Sequence, residues 1–199
     1  MPEEKDLSQI EGESNRLRRR AQSVLRSLSL DAYRTESNEI VRLLASWDVV
    51  HQATVIAAFH PSRTEPQLQT LLQSIAHTKT LLLPRVLPGS SMELVQISDL
   101  HQDLHPATFG LMEPRLILRP WTGKSPDIFL IPGVVFGKSG ERIGHGGGYY
   151  DRFLAKHPNS LKIGVALNCQ IHKGDIPQLP HDIRMSYIVS PIGIFPTGV

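Results

Sequence analysis

The sequence carries one cysteine, Cys169, among 199 residues. A lone thiol permits no intramolecular disulfide, so the fold rests on a packed core, which suits a reducing compartment. Cys169 itself stands in a strand-like context and reads as a small packed side chain rather than a nucleophile. No apolar run approaches the roughly 20 residues that span a bilayer. The acidic, polar start MPEEKDLSQIEGES is unlike a signal peptide, so a cytoplasmic protein without a membrane partner is expected. A formal net charge of +2 is too small to argue for a nucleic-acid partner. There is no repeat and no low-complexity linker, and the glycine loop does not end in GK[ST] as a Walker A loop does.

What is present fits one globular domain: 40% hydrophobic residues, 20% charged residues, and a length sufficient for a single well-buried core. Residues 1–13 are expected to form a loose tail, and residues 14–199 a single domain. Ser14 to Leu28 has Leu17, Ala21, Val24, Leu25 and Leu28 at helical spacing. Ser29 offers an N-cap for a second helix, from Asp31 to about Trp47. The runs 53–59 (ATVIAAF), 80–84, 92–97, 127–136, 162–167 and 185–190 read as strands, several apolar throughout as in a buried parallel sheet. Helices are expected from the Pro66 region to about His77 and over 149–156. This alternation predicts an α/β domain with a largely parallel central sheet, whose ligands bind at the carboxyl ends of strands. His101 and His105 flank Asp103, but Pro106 follows at once and no third ligand has fitting spacing, so both read as loop residues.

The chemistry concentrates in residues 137–154, GKSGERIGHGGGYYDRFL. Five of the nine residues 140–148 are glycines. Glycine reaches positive φ and lets backbone amides approach a ligand, and such amides form anion sites. Arg142 supplies a planar guanidinium suited to phosphate, and Asp151 a carboxylate for a magnesium ion on phosphates. The loop is therefore a candidate nucleotide-phosphate site, against the plainer reading of a tight strand-to-helix turn. Elsewhere the plain readings are a solvated face for Arg16, Arg18, Arg19 and Arg20, a helix-start acid for Glu65, and a turn residue for Asp182.

The whole string PGVVFGKSGERIGHGGGYYDRFL closely resembles the signature of the 5-formyltetrahydrofolate cyclo-ligase family, and the likeness covers roughly residues 14–190. The resemblance implies a three-layer α/β fold, ATP and Mg2+ as cofactors, and 5-formyltetrahydrofolate as the small-molecule substrate of a monomer or weak dimer. It places the nucleotide on Ser14, Asn15, Arg16, Leu17 and Arg18 of the first helix and on Arg142, Ile143, Gly144, His145, Gly146, Gly147, Gly148, Tyr149 and Tyr150. Here Ser14 replaces the family's lysine, so either Arg16 or Arg18 supplies the charge or nucleotide binding is weakened. The substrate falls to His60, Glu65, His145, the three glycines that follow it and Tyr149; the metal to Asp151 and Asp182; catalysis to Arg142, Tyr149 and Asp151. Segments 83–86 (LPRV) and 109–114 (FGLMEP) also resemble the family, the latter as part of the substrate-side wall. Asn168 replaces an acid of its D-x-Q motif and Leu179 a glutamate. Two alternatives stand beside the ligase: a relative that binds ATP and folate but turns over weakly, and an α/β enzyme acting on a phosphorylated sugar or CoA ester.

Overall fold

The computed structural model describes residues 7–89, 91–107 and 110–199. Helix α1 spans Leu7–Ser27, so it starts at Leu7 rather than at Ser14, and residues 7–13 are helical instead of a loose tail. Ala21 and Leu25 are buried and Leu17 and Leu28 pack beside them, while Val24 turns outward at 43% exposure. Helix α2 (Leu30–Ala45) is capped by the Ser29 hydroxyl, which accepts from the Ala32 amide at 3.2 Å. There follow α3 (Asp48–Gln52), β1 (Val55–Ala57), α4 (Gln69–Thr78), β2 (Thr80–Leu87) and β3 (Ser91–Ile97). Next come β4 (Leu104–Pro106), β5 (Met112–Pro114), β6 (Ile128–Ile131), β7 (Val135–Gly137) and β8 (Arg142–Ile143). The chain ends with α5 (Tyr149–Leu154), β9 (Leu161–Val165), a 3-10 turn at Asn168–Gln170, β10 (Ile171–His172), β11 (Tyr187–Ser190) and β12 (Gly193–Pro196).

The central sheet runs β12-β11-β9-β6-β1-β2-β3. Its five inner strands are parallel, and β12 and β3 close the edges antiparallel. Side chains alternate across the sheet with the period of two that a strand imposes. Ile56, Leu81, Leu83, Ile128, Leu130 and Val165 face Ile40, Leu44, Leu72 and Ile75 of α2 and α4. Val55, Ala57, Leu82, Phe129 and Ile131 face Leu154 and Phe153 of α5. The result is the three-layer α/β sandwich that was expected. Because both faces are covered, the inner strands read as unbroken apolar runs.

The expected strand 127–136 is two strands. β6 ends at Ile131 because Pro132 has no amide to donate, and β7 belongs to a separate three-stranded sheet, β10-β7-β8. Gly133 makes the bend possible, since a Cβ there would lie 2.6 Å from the Phe136 ring. The chain runs β1 to β2 toward one edge and β6, β9, β11 toward the other. The topological switch point thus falls between β1 and β6, where ligands of such sheets bind. The loops after β1 and β6 hold the His60–Glu65 segment and the glycine stretch.

Candidate active site

A cleft of about 1620 Å³ opens at this switch point. It is walled by the loop after β1, the glycine loop, the α1 residues Ser14, Asn15 and Arg18, the 177–182 segment and the β4–β5 hairpin with Glu113. A smaller crevice of about 430 Å³ lies at the amino ends of β1 and β2. There the Lys79 ammonium is already bound by the His51 and Ala53 carbonyls at 2.6 and 2.7 Å, a structural tie.

The glycine loop is built by the antiparallel β7–β8 hairpin, which aims its return strand at α5. Gly146 (φ +103°) and Gly148 (φ +62°) lie in the left-handed region that favours glycine, Gly148 as the residue before α5. Two arginines hold the loop by its carbonyls. Arg18 Nε donates to Gly144 O at 2.7 Å, and Arg152 Nη2 to Gly147 O at 2.7 Å while its guanidinium lies 5.7 Å from the Tyr149 ring centre. In a trans peptide the amide opposes the carbonyl, so the His145 and Gly148 N–H groups point away from the two bound oxygens.

Arg142 is the most enclosed cation of the cleft, its side chain 4% exposed. Its Nη2 donates to Asp151 Oδ1 and Oδ2 at 3.0 and 2.9 Å, and the Tyr150 ring lies 5.5 Å from Cζ. Its Nε is buried without a partner among the described residues. Asp151 Oδ1 also accepts from the Ile183 amide at 3.2 Å, which brings the preceding residue, Asp182, to the same wall. Asp182 Oδ2 accepts from the Leu179 amide at 2.8 Å. Across the cleft, buried Glu65 accepts from the Ser62 amide at 2.8 Å, and His145 Nε2 stands 3.8 Å from its Oε1. Tyr33 and Gln67 bind the Glu65 carbonyl and so fix the loop from beneath. Burial pushes the His60 imidazole down despite the opposing Glu65 charge, so the ring is neutral at pH 7, and its Nδ1 has no partner among the described residues. Burial, and then Glu65, push the Tyr150 phenol up, so it stays protonated.

Of the residues singled out in the sequence, Ser14, Asn15, Arg18, His60, Glu65, residues 142–151 and Asp182 share this one cleft. Arg16 does not: it is exposed on the far side of α1, and Leu17 packs instead against Val134, Val135 and Ile143. Between the two arginines left open by the sequence, Arg18 reaches the loop. Sequence reasoning passed over Arg152, although it stands beside Asp151 in the YYDR run and one turn from the loop it binds. It placed Gln170 in the D-x-Q segment without giving it a role; its buried amide donates to Gly133 O at 2.6 Å and accepts from Leu167 N at 2.8 Å, locking the bend after β6. The Asn168 amide donates to Glu36 Oε2 at 2.9 Å, so a carboxylate of α2 stands near the position where the family acid is missing. Cys169 lies in a 3-10 turn rather than a strand, and burial raises its thiol, as expected of an inert side chain. His105 belongs to β4 rather than a loop and bonds the Glu113 carbonyl at 2.9 Å. Phe109 lies outside the described residues.

Asp151 and Asp182 offer oxygen donors alone, and no group of three or more His, Cys, Asp or Glu side chains is placed to hold a metal among the described residues. Two carboxylates lining one cleft suit magnesium, which takes one or two protein carboxylates and completes its shell with water and substrate oxygens. Among the described residues no helix is long and apolar enough to cross a membrane.

Fold and site together define a doubly wound α/β protein with a cleft at its switch point lined by a glycine loop and the buried Arg142. The comparisons narrow that class. The family described as the 5-formyltetrahydrofolate cyclo-ligase family matches residues 10–191, and the chain belongs to it. It is similar to a probable 5-formyltetrahydrofolate cyclo-ligase of Caenorhabditis elegans, 26% identical over 92% of this chain and 95% of the relative. It is also similar to the mitochondrial 5-formyltetrahydrofolate cyclo-ligase of Arabidopsis thaliana, 29% identical over 54% of this chain, a match spanning 45% of that protein's length. The solved structure of Aquifex aeolicus 5,10-methenyltetrahydrofolate synthetase superposes with a TM-score of 0.82 at 28% identity, covering 94% of this chain and 93% of that one.

Proposed function

We propose that the protein closes 5-formyltetrahydrofolate to 5,10-methenyltetrahydrofolate at the expense of ATP, with magnesium, in this cleft. The observation that carries the reading is the juxtaposition, across one cleft, of a glycine loop with a buried Arg142 and a loop with a buried Glu65. Arg142, Arg18 and the loop amides bind phosphates, and Glu65 holds the folate with the neutral His60 ring beside it. Tyr149 and Tyr150 close the pocket and exclude water. Magnesium, when bound, neutralises phosphate charge, and Asp151 and Asp182 are the residues that hold it.

The γ-phosphoryl group passes to the formyl oxygen, and ADP departs. The lone pair of the folate's 10-nitrogen then attacks the formyl carbon, the nitrogen loses its proton, and the C–O bond breaks to release phosphate. Oxide, a poor leaving group, has become phosphate, so no protein nucleophile is needed. Catalysis then rests on positioning and on charge stabilisation, for which this chain supplies guanidinium groups and loop amides. The reading is tested by adding 5-formyltetrahydrofolate, ATP and Mg2+ and following the absorbance of the methenyl product. Product that forms only with all three supports it. Nucleotide binding without product would place the protein with weakly active binding relatives.

A further inference from the structure

The candidate metal ligand Asp151 already has a cation. Both of its oxygens accept from Arg142 Nη2, and Oδ1 accepts from the Ile183 amide as well. The pair is not in its strongest form. One nitrogen straddles two oxygens, whereas a bidentate pair would use two parallel N–H groups. The neighbouring Nε, on the same edge of the guanidinium, is buried and has no partner among the described residues, in a side chain 4% exposed. Nη1 lies against Gly144, where a Cβ would stand 2.7 Å away, and the Tyr150 ring gives the planar group a surface to move across.

We propose that Arg142 is the resident counter-cation of Asp151 and is exchanged when magnesium and nucleotide arrive together: the guanidinium passes to a phosphate as the metal takes the carboxylate. This rests on the reading of the cleft as an ATP–magnesium site. Metal alone is then a poor ligand, because taking Asp151 strands a buried guanidinium with no partner, an arrangement proteins avoid. Nucleotide alone is also poor, because its phosphates meet the Asp151 carboxylate and a guanidinium whose Nη2 is occupied. Together they leave each anion facing a cation. The Nε–Nη2 edge of Arg142 then becomes free to grip one phosphate with two N–H groups, the geometry that suits this side chain. Metal and nucleotide affinities are therefore coupled through one side chain, reciprocally.

Calorimetry on three proteins tests this, with Mg2+ alone, ATP in EDTA, and ATP with Mg2+. The wild-type protein is expected to take up no measurable Mg2+ alone and to bind metal-free ATP weakly. Asp151→Asn, by freeing Arg142 and removing one negative charge, should bind metal-free ATP about tenfold more tightly than wild type, the scale of one nearby charge. Magnesium should add nothing to that variant. Arg142→Gln should do the reverse and bind Mn2+ alone, read by electron paramagnetic resonance. Wild-type protein binding Mg2+ alone as well as with ATP would overturn the exchange, as would Asp151→Asn binding metal-free ATP no better than wild type. Melting curves establish which variants are folded. If Asp151→Asn is not, the wild-type metal titration and Arg142→Gln decide. Failure of wild-type protein to bind ATP under any of these conditions would instead remove the nucleotide reading on which the exchange stands.

Discussion

Arg142 and Glu65 are the two charges buried on opposite walls of the cleft, and each owes its place to a different local device. Arg142 is fixed by the β7–β8 hairpin and Asp151, Glu65 by the Ser62 amide and the Tyr33–Gln67 bonds to its carbonyl. Arg142→Lys keeps the charge but loses the planar fork, so turnover should fall by about a hundredfold or more if the group stabilises transferring phosphate. Steady-state rates beside a melting curve measure this, and full activity in the lysine variant would deny the fork a role. Glu65→Gln keeps an acceptor for the Ser62 amide and removes the charge. The folate Michaelis constant should rise by the equivalent of about 1–3 kcal/mol while that for ATP stays put. An unmoved folate constant would take Glu65 out of the substrate site. At this scale the sequence was informative wherever residue type and chemistry coincide, as in RIGHGGGYYD. It was silent on Arg152, Tyr33 and Gln67, whose contribution depends on where a neighbouring backbone carbonyl points.

The first helix and the glycine hairpin are the elements that assemble the site. α1 brings Arg18 to the Gly144 carbonyl and turns Arg16 to solvent, a consequence of 3.6 residues per turn once Leu17 is docked on the hairpin. Arg18→Ala should therefore raise the Michaelis constant for ATP, and Arg16→Ala should leave it unchanged; the opposite ranking would place the wrong face of the helix on the nucleotide. Gly140 pins the hairpin at φ +88°, where a Cβ would stand 2.3 Å from the Met185 carbonyl oxygen. Gly140→Ala should cost at least about 1–2 kcal/mol from the left-handed backbone alone, seen as a lower urea midpoint. Strands and long helices were legible because their apolar periodicity is long. The five-residue α3, the β4–β5 hairpin and β12 were not, since each is too short for a period to register. The division of 127–136 lay in view at Pro132-Gly133, but an apolar run on both sides masked it.

On the scale of the whole molecule, strand order decides where the elements meet. Asp127 ties β1 to β6 at their amino ends, accepting from the Thr54 and Val55 amides, the Thr54 hydroxyl and Lys124. Burial would raise this carboxyl, but the amide bonds from Val55 and Thr54, with Lys124 and the Thr54 hydroxyl, hold it well below the usual range. A carboxyl depressed in the folded state contributes fully above the unfolded value of about 3.9 and is lost as pH falls through the folded one. Wild-type protein should lose stability below about pH 4, and Asp127→Asn should flatten that acid limb of a melting-temperature profile. An unchanged slope would show that other carboxylates govern it. Alternation of elements and the three-layer fold could be read in advance. The convergence of the loops at 60–65, 140–148 and 177–182 could be expected from the strands they follow, but which helix face closes the cleft required the packed structure. In the proposed reaction ATP activates the formyl oxygen as a leaving group. The most direct test uses 5-formyltetrahydrofolate labelled with 18O in the formyl group, with the released phosphate read by mass spectrometry. One labelled oxygen in inorganic phosphate is expected for each methenyl product formed. Label appearing in water, with unlabelled phosphate, would contradict it.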